Sequence, residues 1–167
     1  MLALLIISAT LPLNAATPAC DHDPFAGAWQ LNTQKSRYPG ATCPKQMVIV
    51  MACVGNGVRY HSETTYADGH SSRSEYIANY DGKEAIVMGS GGLLLPVSLR
   101  RLDANTVVAT YKRGGQTIAT SRRVVSKDGR KMTITTNSPD LSGKNVLSIG
   151  VYEKAKEVAR VEQKAAK

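Results

Sequence analysis

Hydrophobic and polar residues alternate along most of this chain with a period of two, and small turn-forming clusters interrupt the alternation at regular intervals. Val58, Tyr60, Ser62, Thr64 and Tyr66 fall on one parity, while Arg59, His61 and Glu63 fall on the other. After Ala67-Asp68-Gly69 the pattern resumes, with Ser72, Ser74, Tyr76 and Ala78 set against Arg73 and Glu75. Successive strand residues point to opposite faces, so this layout predicts two half-buried strands joined by a hairpin. Treating Ala67-Asp68-Gly69 as a three-residue loop pairs Tyr66 with His70 and Tyr60 with Tyr76, which buries the first set and leaves nearly every charge in water. A two-residue loop would mix the faces.

Comparable punctuation recurs at Gly55-Asn56-Gly57, Tyr80-Asp81-Gly82, Gly89-Ser90-Gly91-Gly92, Asp103-Ala104-Asn105, Gly114-Gly115, Lys127-Asp128-Gly129 and Leu141-Ser142-Gly143. Each cluster supplies a residue that tolerates positive φ, as a tight hairpin requires. The intervening segments of about five to ten residues give roughly ten strands in sequence order. The expected fold is all-β, an up-and-down antiparallel barrel of about 8–10 strands. Helical character is confined to Glu153 through Lys167, rich in helix formers and mixed charge, which reads as a short helical or frayed tail.

The same register argument, applied at Asp103-Ala104-Asn105 and Gly114-Gly115, turns Val97, Leu99, Arg101, Val107, Ala109, Tyr111, Ile118, Thr120 and Arg122 inward. Arg101 and Arg122 are the charged exceptions. Alternating strand directions bring both to the rim where Trp29 opens the first strand. A guanidinium stacked on the indole would close that end, a contact of about 0.5–2 kcal/mol. The competing use of the pair is an anion site.

Composition narrows the organisation. With 167 residues, 43% of them hydrophobic and only one Trp and one Phe, the chain fits one domain with a core of Val, Ile, Leu, Met and Tyr. Residues 1–16 are apolar, uncharged and end in small residues, the pattern of a secretory leader without its basic start. The expected layout is a leader over 1–16, an extension over 17–22, the barrel over 23–154 and the tail over 155–167. The protein is expected to be exported, periplasmic or secreted, with lipid anchoring through Cys20 the weaker alternative. Cys20, Cys43 and Cys53 allow at most one internal bridge. Cys43 and Cys53 should lie at opposite ends of one strand, beyond disulfide reach, so Cys20 with Cys53 is the expected pair.

Chemistry-bearing motifs are sparse. His22 between Asp21 and Asp23 lacks a second ligand cluster, so no metal is expected. His61, Glu63 and Glu75 share a face, but register turns it outward. No nucleophile elbow or phosphate loop occurs, and Gly89-Ser90-Gly91-Gly92 reads as a flexible turn. Neither an enzyme nor a cofactor is expected. The formal charge of +8 makes a polyanion or an anionic envelope surface a secondary partner; nucleic acid is disfavoured, because no stacking platform lies outside the barrel.

Gly27-Ala28-Trp29 within Asp23 to Asn32, followed by the run of hairpins, resembles the start of lipocalin and fatty-acid-binding-protein barrels. Arg122-Arg123-Val124-Val125-Ser126-Lys127-Asp128-Gly129 with Lys131-Met132-Thr133-Ile134-Thr135 resembles exported bacterial lipocalin-like (calycin-type) domains of uncharacterised function. The resemblance covers about residues 23 to 154. It maps the family's Trp onto Trp29 and its late-strand Arg onto Arg122, with Arg123 as the competing choice. A lipocalin Thr-Asp-Tyr motif is lacking, and residues 33–44 leave little room for a helical lid. The expected function is non-catalytic binding or transport of a small amphiphilic or hydrophobic molecule, with Tyr60, Tyr66, Tyr76, Tyr111 and Met88 as ligand contacts. The alternative is a barrel whose tyrosines fill the interior and which acts through its basic surface.

Overall fold

Ten antiparallel strands follow one another around a closed ring in the computed structural model, which describes residues 22–39, 43–140 and 142–155. They are β1 (Gly27–Leu31), β2 (Gln46–Val54), β3 (Gly57–Thr65), β4 (Ser71–Asn79), β5 (Asp81–Gly89), β6 (Leu93–Asp103), β7 (Thr106–Arg113), β8 (Gln116–Val125), β9 (Lys131–Pro139) and β10 (Asn145–Lys154). Each pairs with its neighbour in sequence, and β1 also pairs with β10, which closes the ring, with β4 and β5 joined only through Ser74–Gly89 and Glu75–Met88. The expected all-β up-and-down barrel is the observed one. The proposed leader and nearly all of the extension and tail lie outside the described residues.

The β3–β4 hairpin has the expected register, with Tyr60 opposite Tyr76 and Ser62 opposite Ser74. Tyr66 N donates to His70 O at 3.0 Å, closing the loop. The outward His61 lies 3.4 Å from Glu63 and 3.9 Å from Glu75. The β7–β8 hairpin differs from expectation. Arg113 pairs with Gln116 across Gly114-Gly115, but a bulge between Tyr111 and Lys112 shifts the register by one residue. Tyr111 therefore faces Ala119 instead of Ile118, and every later β8 side chain is reversed. Arg122 is exposed and Arg123 is buried inside the barrel, so the expected inward arginine is corrected to its neighbour.

One end of the barrel is closed. The turn before β1 lays Phe25 across it, and the Trp29 indole donates from Nε1 to Phe25 O at 2.9 Å. Ile49, Met51, Val58, Val97, Leu99, Val107, Val125 and Met132 are all buried with them. Each such side chain contributes about 1.5–3 kcal/mol through removal from water. The arginine plug exists in altered form. Arg101 lies over Tyr80, 4.1 Å from the ring centroid, and over Phe25 at 5.5 Å, while its Nη2 meets the carboxylate of Asp23 at 2.6 Å. Trp29 is covered by Lys154, whose Nζ is 5.1 Å from the ring centroid, so neither expected arginine stacks on the indole.

Cys43 is a free, half-buried thiol, in keeping with its expected separation from Cys53. The pairing of Cys20 with Cys53 rests on Cys20, which lies outside the described residues.

Candidate functional site

The opposite half of the barrel is hollow. A cavity of about 1020 Å³ opens between the closed end and the loops joining β1 to β2, β3 to β4, β5 to β6 and β9 to β10. Its existence follows from the inward residues. At the closed end these are bulky and apolar, whereas toward the mouth β3 and β4 turn in Ser62, Thr64, Ser72 and Ser74, which are too small to meet across the interior. The tyrosines therefore line the space and do not fill it.

The β1–β2 connection shapes the mouth. Ser36 Oγ accepts from Val151 N at 2.9 Å, and Arg37 exchanges two backbone hydrogen bonds of 2.7 Å with Ile149. These bonds hold residues 32–39 as turns and a short bridge, without a helical lid, and direct Tyr38 into the cavity. Tyr152 lies below it, with its hydroxyl directed to Met47 Sδ at 3.2 Å.

At the floor, Tyr60 and Tyr76 stack with ring centroids 4.7 Å apart and planes 8° apart. The stack follows from their direct pairing across β3 and β4. The Arg123 guanidinium lies over the Tyr60 ring at 5.0 Å. Its Nη1 donates to the Tyr76 hydroxyl at 2.6 Å and its Nη2 to the Tyr111 hydroxyl at 2.9 Å. Nε of the same guanidinium is buried with no hydrogen-bond partner. Among the described residues no carboxylate lies within ion-pair distance of Arg123, and the only acidic residue in the cavity lining is Asp140, which is exposed at the β9–β10 loop.

Electrostatics set this group apart. Burial works against the Arg123 charge, and its pKa nonetheless rises well above its ordinary value through Coulombic attraction to Tyr76, Tyr111 and Tyr60. That attraction acts only once those phenols ionise at high pH and leaves the charge without an opposite partner near neutral pH. The group is a fixed cation. Burial pushes the Tyr60 and Tyr76 hydroxyls up in pKa, with Arg123 pulling the other way, so both remain neutral donors and acceptors near neutral pH. A buried charge usually has an opposite charge beside it, because desolvation costs several kcal/mol. Here tyrosine hydroxyls stand in place of a carboxylate, and Arg123 lines the cavity.

The structure brings four of the five expected contacts together. Tyr60 and Tyr76 are buried at the floor, whereas Tyr66 and Tyr111 are half-buried and also line the cavity, with Tyr66 stacked on His70 at 4.2 Å. Met88 does not belong with them. It is 50% exposed on the outer face, paired with Leu94, and Val87 takes the inward place. Ala85-Ile86-Val87-Met88 is apolar on both parities, so alternation alone could not choose the face. Arg123, Tyr38 and Tyr152 were not among the expected contacts. The signal for Arg123 was the adjacent pair Arg122-Arg123, in which one residue must point inward.

No family model and no curated protein matches this chain. Solved structures with the same fold do. A Schistosoma mansoni fatty acid binding protein in complex with arachidonic acid superposes with a TM-score of 0.56 at 14% identity, covering 80% of this chain and 97% of that one. A zebrafish ileal bile acid-binding protein complexed with cholic acid gives a TM-score of 0.53 at 15% identity, covering 79% and 99%. At such identity the likeness is one of fold, and this chain has the same kind of closed ten-strand barrel.

Proposed function

We propose that this protein binds a small amphiphilic anion inside the barrel, with the anionic group on Arg123 and the apolar body directed toward the mouth. The observation that carries this reading is the buried guanidinium, whose Nε has no partner and which faces a cavity of about 1020 Å³. A carboxylate there would accept charge-assisted hydrogen bonds from the guanidinium and from the Tyr76 and Tyr111 hydroxyls, offsetting the desolvation of the cation. Val87, Leu93, Leu95 and Met47 supply apolar surface above it. The fatty-acid and bile-acid complexes of the structural neighbours are consistent with such cargo.

The role is non-catalytic carriage or sensing. Export, with the leader removed and Cys20 bridged to Cys53, belongs to the same proposal, and the intact mass of the mature chain tests both. The binding test is a titration with a long-chain fatty acid and with its methyl ester. The acid should bind at least about tenfold more tightly, and Arg123→Met should erase the difference. Equal affinity for acid and ester in the wild-type protein would overturn the assignment of Arg123.

A further inference from the structure

The body of the cavity is lined with hydroxyl groups to a degree that a plain hydrocarbon chain does not require. Ser62 pairs directly with Ser74, and Thr64 with Ser72, forming a four-hydroxyl patch on the inner wall of β3 and β4. A second row crosses three strands, Ser121 opposite Thr136 and Thr136 opposite Ser148, with the Ser121 and Thr136 hydroxyls 2.7 Å apart. In a ring of ten strands β3 and β4 stand five positions from β8 and β9, so the two hydroxyl walls face each other across the interior. The quadrant between them on β5 and β6 is apolar, with Val87 opposite Leu95.

Depth relates these walls to the floor. Ser62 and Ser74 lie one strand repeat mouthward of Tyr60 and Tyr76, and Ser121 lies one repeat mouthward of Arg123. One repeat is about 7 Å along a strand. A ligand anchored by its anion on Arg123 therefore meets hydroxyls on two opposite sides within a few bond lengths of its head, and apolar surface on the flank between.

We infer that the preferred cargo is a hydroxylated amphiphilic acid, with hydrogen-bonding groups along its body as well as at its head. This rests on Arg123 being the anion anchor. A bare alkyl chain would strip water from the hydroxyl walls and return no hydrogen bonds, whereas hydroxyls on the ligand replace those lost to water. Hydroxy-acyl chains and hydroxylated polycyclic acids share this chemistry, and they differ in rigidity.

The experiment is a set of titrations of the full mature chain with four probes: a straight-chain saturated acid, its dihydroxylated counterpart, a hydroxylated steroidal acid and the same steroidal acid without hydroxyls. In one or both pairs the hydroxylated member should bind about tenfold more tightly, the effect of one or two net hydrogen bonds. The pair with the larger ratio identifies the skeleton. Ser62→Ala with Ser74→Ala, and separately Thr136→Val, should reduce the ratio at least about threefold, weakening the hydroxylated acid and strengthening the unhydroxylated one, which no longer strips water from that wall. Thermal melting checks that each variant is folded, and the two walls give two independent variants. Unhydroxylated acids binding as tightly as hydroxylated ones, or a ratio unmoved by both variants, would overturn the inference and leave the Arg123 anchor standing. If no acid binds and Arg123→Met changes nothing, the anchor itself fails and the inference with it.

Discussion

The two ends of this barrel each hold an inward arginine, and the arginines are treated in opposite ways. Arg101 at the closed end has a carboxylate partner, Asp23, at 2.6 Å, donates to Ala104 O at 3.2 Å and lies over two aromatic rings. Arg123 at the cavity floor has hydroxyl partners only and a buried nitrogen with none. A cation that the fold has neutralised contributes to stability, whereas one left without a counter-charge stores an unfavourable term that a ligand can remove. The contrast separates a structural end from the end proposed to bind ligand, without reference to any relative.

Replacing Arg123 by Met breaks the comparison most directly. Affinity for an amphiphilic acid should fall by about 100-fold to 1000-fold, because a desolvated charge contact is lost. The ligand-free barrel should keep its stability or gain up to about 4 kcal/mol, since an uncompensated buried charge disappears. Isothermal titration and urea denaturation of the same variant check the two signs together. A variant that loses stability and affinity in parallel would make Arg123 a structural residue like Arg101.

Two glycines probe the same division through packing. A Cβ built on Gly57, where β3 begins at the closed end, would lie 2.1 Å from Ala78 O, a backbone atom locked in the sheet. Gly57→Ala should cost about 3 kcal/mol in urea denaturation, as the strand pair must be displaced. At Gly150, beside the cavity, a Cβ would meet two side chains and no backbone, the Tyr38 hydroxyl at 2.7 Å and Cε2 of the buried Tyr152 ring at 2.8 Å. Gly150→Ala should cost about 1–2 kcal/mol, less than Gly57→Ala, and weaken ligand binding as the two rings shift into the cavity. Equal destabilisation at the two sites would mean the cavity end is as tightly packed as the closed one.

The closed-end ion pair gives a smaller effect of definite sign. Arg101→Met leaves the Asp23 carboxylate, whose side chain is only 6% exposed, without its cation. Stability at neutral pH should fall by about 2–3 kcal/mol, less than for a fully enclosed pair because Arg101 keeps partial access to water. Arg101→Met should leave affinity for the acid unchanged. Calorimetric melting with and without ligand distinguishes this from the Arg123 behaviour, in which binding and not stability is lost.

How much of this division was legible beforehand depended on local asymmetry. The β3–β4 hairpin could be read residue by residue because Arg59, His61, Glu63, Arg73 and Glu75 all fall on one parity, and only one loop length keeps them together. In β8 the two parities are nearly alike: Ile118, Thr120 and Arg122 against Ala119, Ser121 and Arg123. A single bulge after Tyr111 then decided which arginine entered the barrel, and bulges leave little trace in composition. Met88 is ambiguous for the same reason, since its neighbours are apolar on both faces. Trp29 marks the start of the barrel in the sequence, but its cover, Lys154, comes from the last residue of β10, a contact set by ring closure and not by any local pattern.

Tyrosine ionisation supplies the smallest and most even-handed probe, because both ends carry buried phenols. Burial raises Tyr80 at the closed end from 10.0 to about 12, with the Asp23 charge adding to the rise and Arg101 opposing it. Tyr60, Tyr76 and Tyr152 around the cavity are likewise raised above 10.0, burial again being the largest cause. With every folded value above the unfolded one, the unfolded chain releases its protons first as pH rises. Stability is therefore undiminished below pH 10 and declines as pH climbs toward 12, by up to about 1.4 kcal/mol per tyrosine for each unit. Urea midpoints measured across that window, with phenolate absorbance followed in parallel, should show the loss. Tyr80→Phe should lessen it by about 1 kcal/mol whether or not ligand is present. A bound anion adds negative charge beside Tyr76 and raises its pKa further, so ligand should delay the appearance of its phenolate and leave Tyr80 unaffected. A ligand that instead delayed ionisation of Tyr80 would place the anion at Arg101 and reverse the assignment of the two ends.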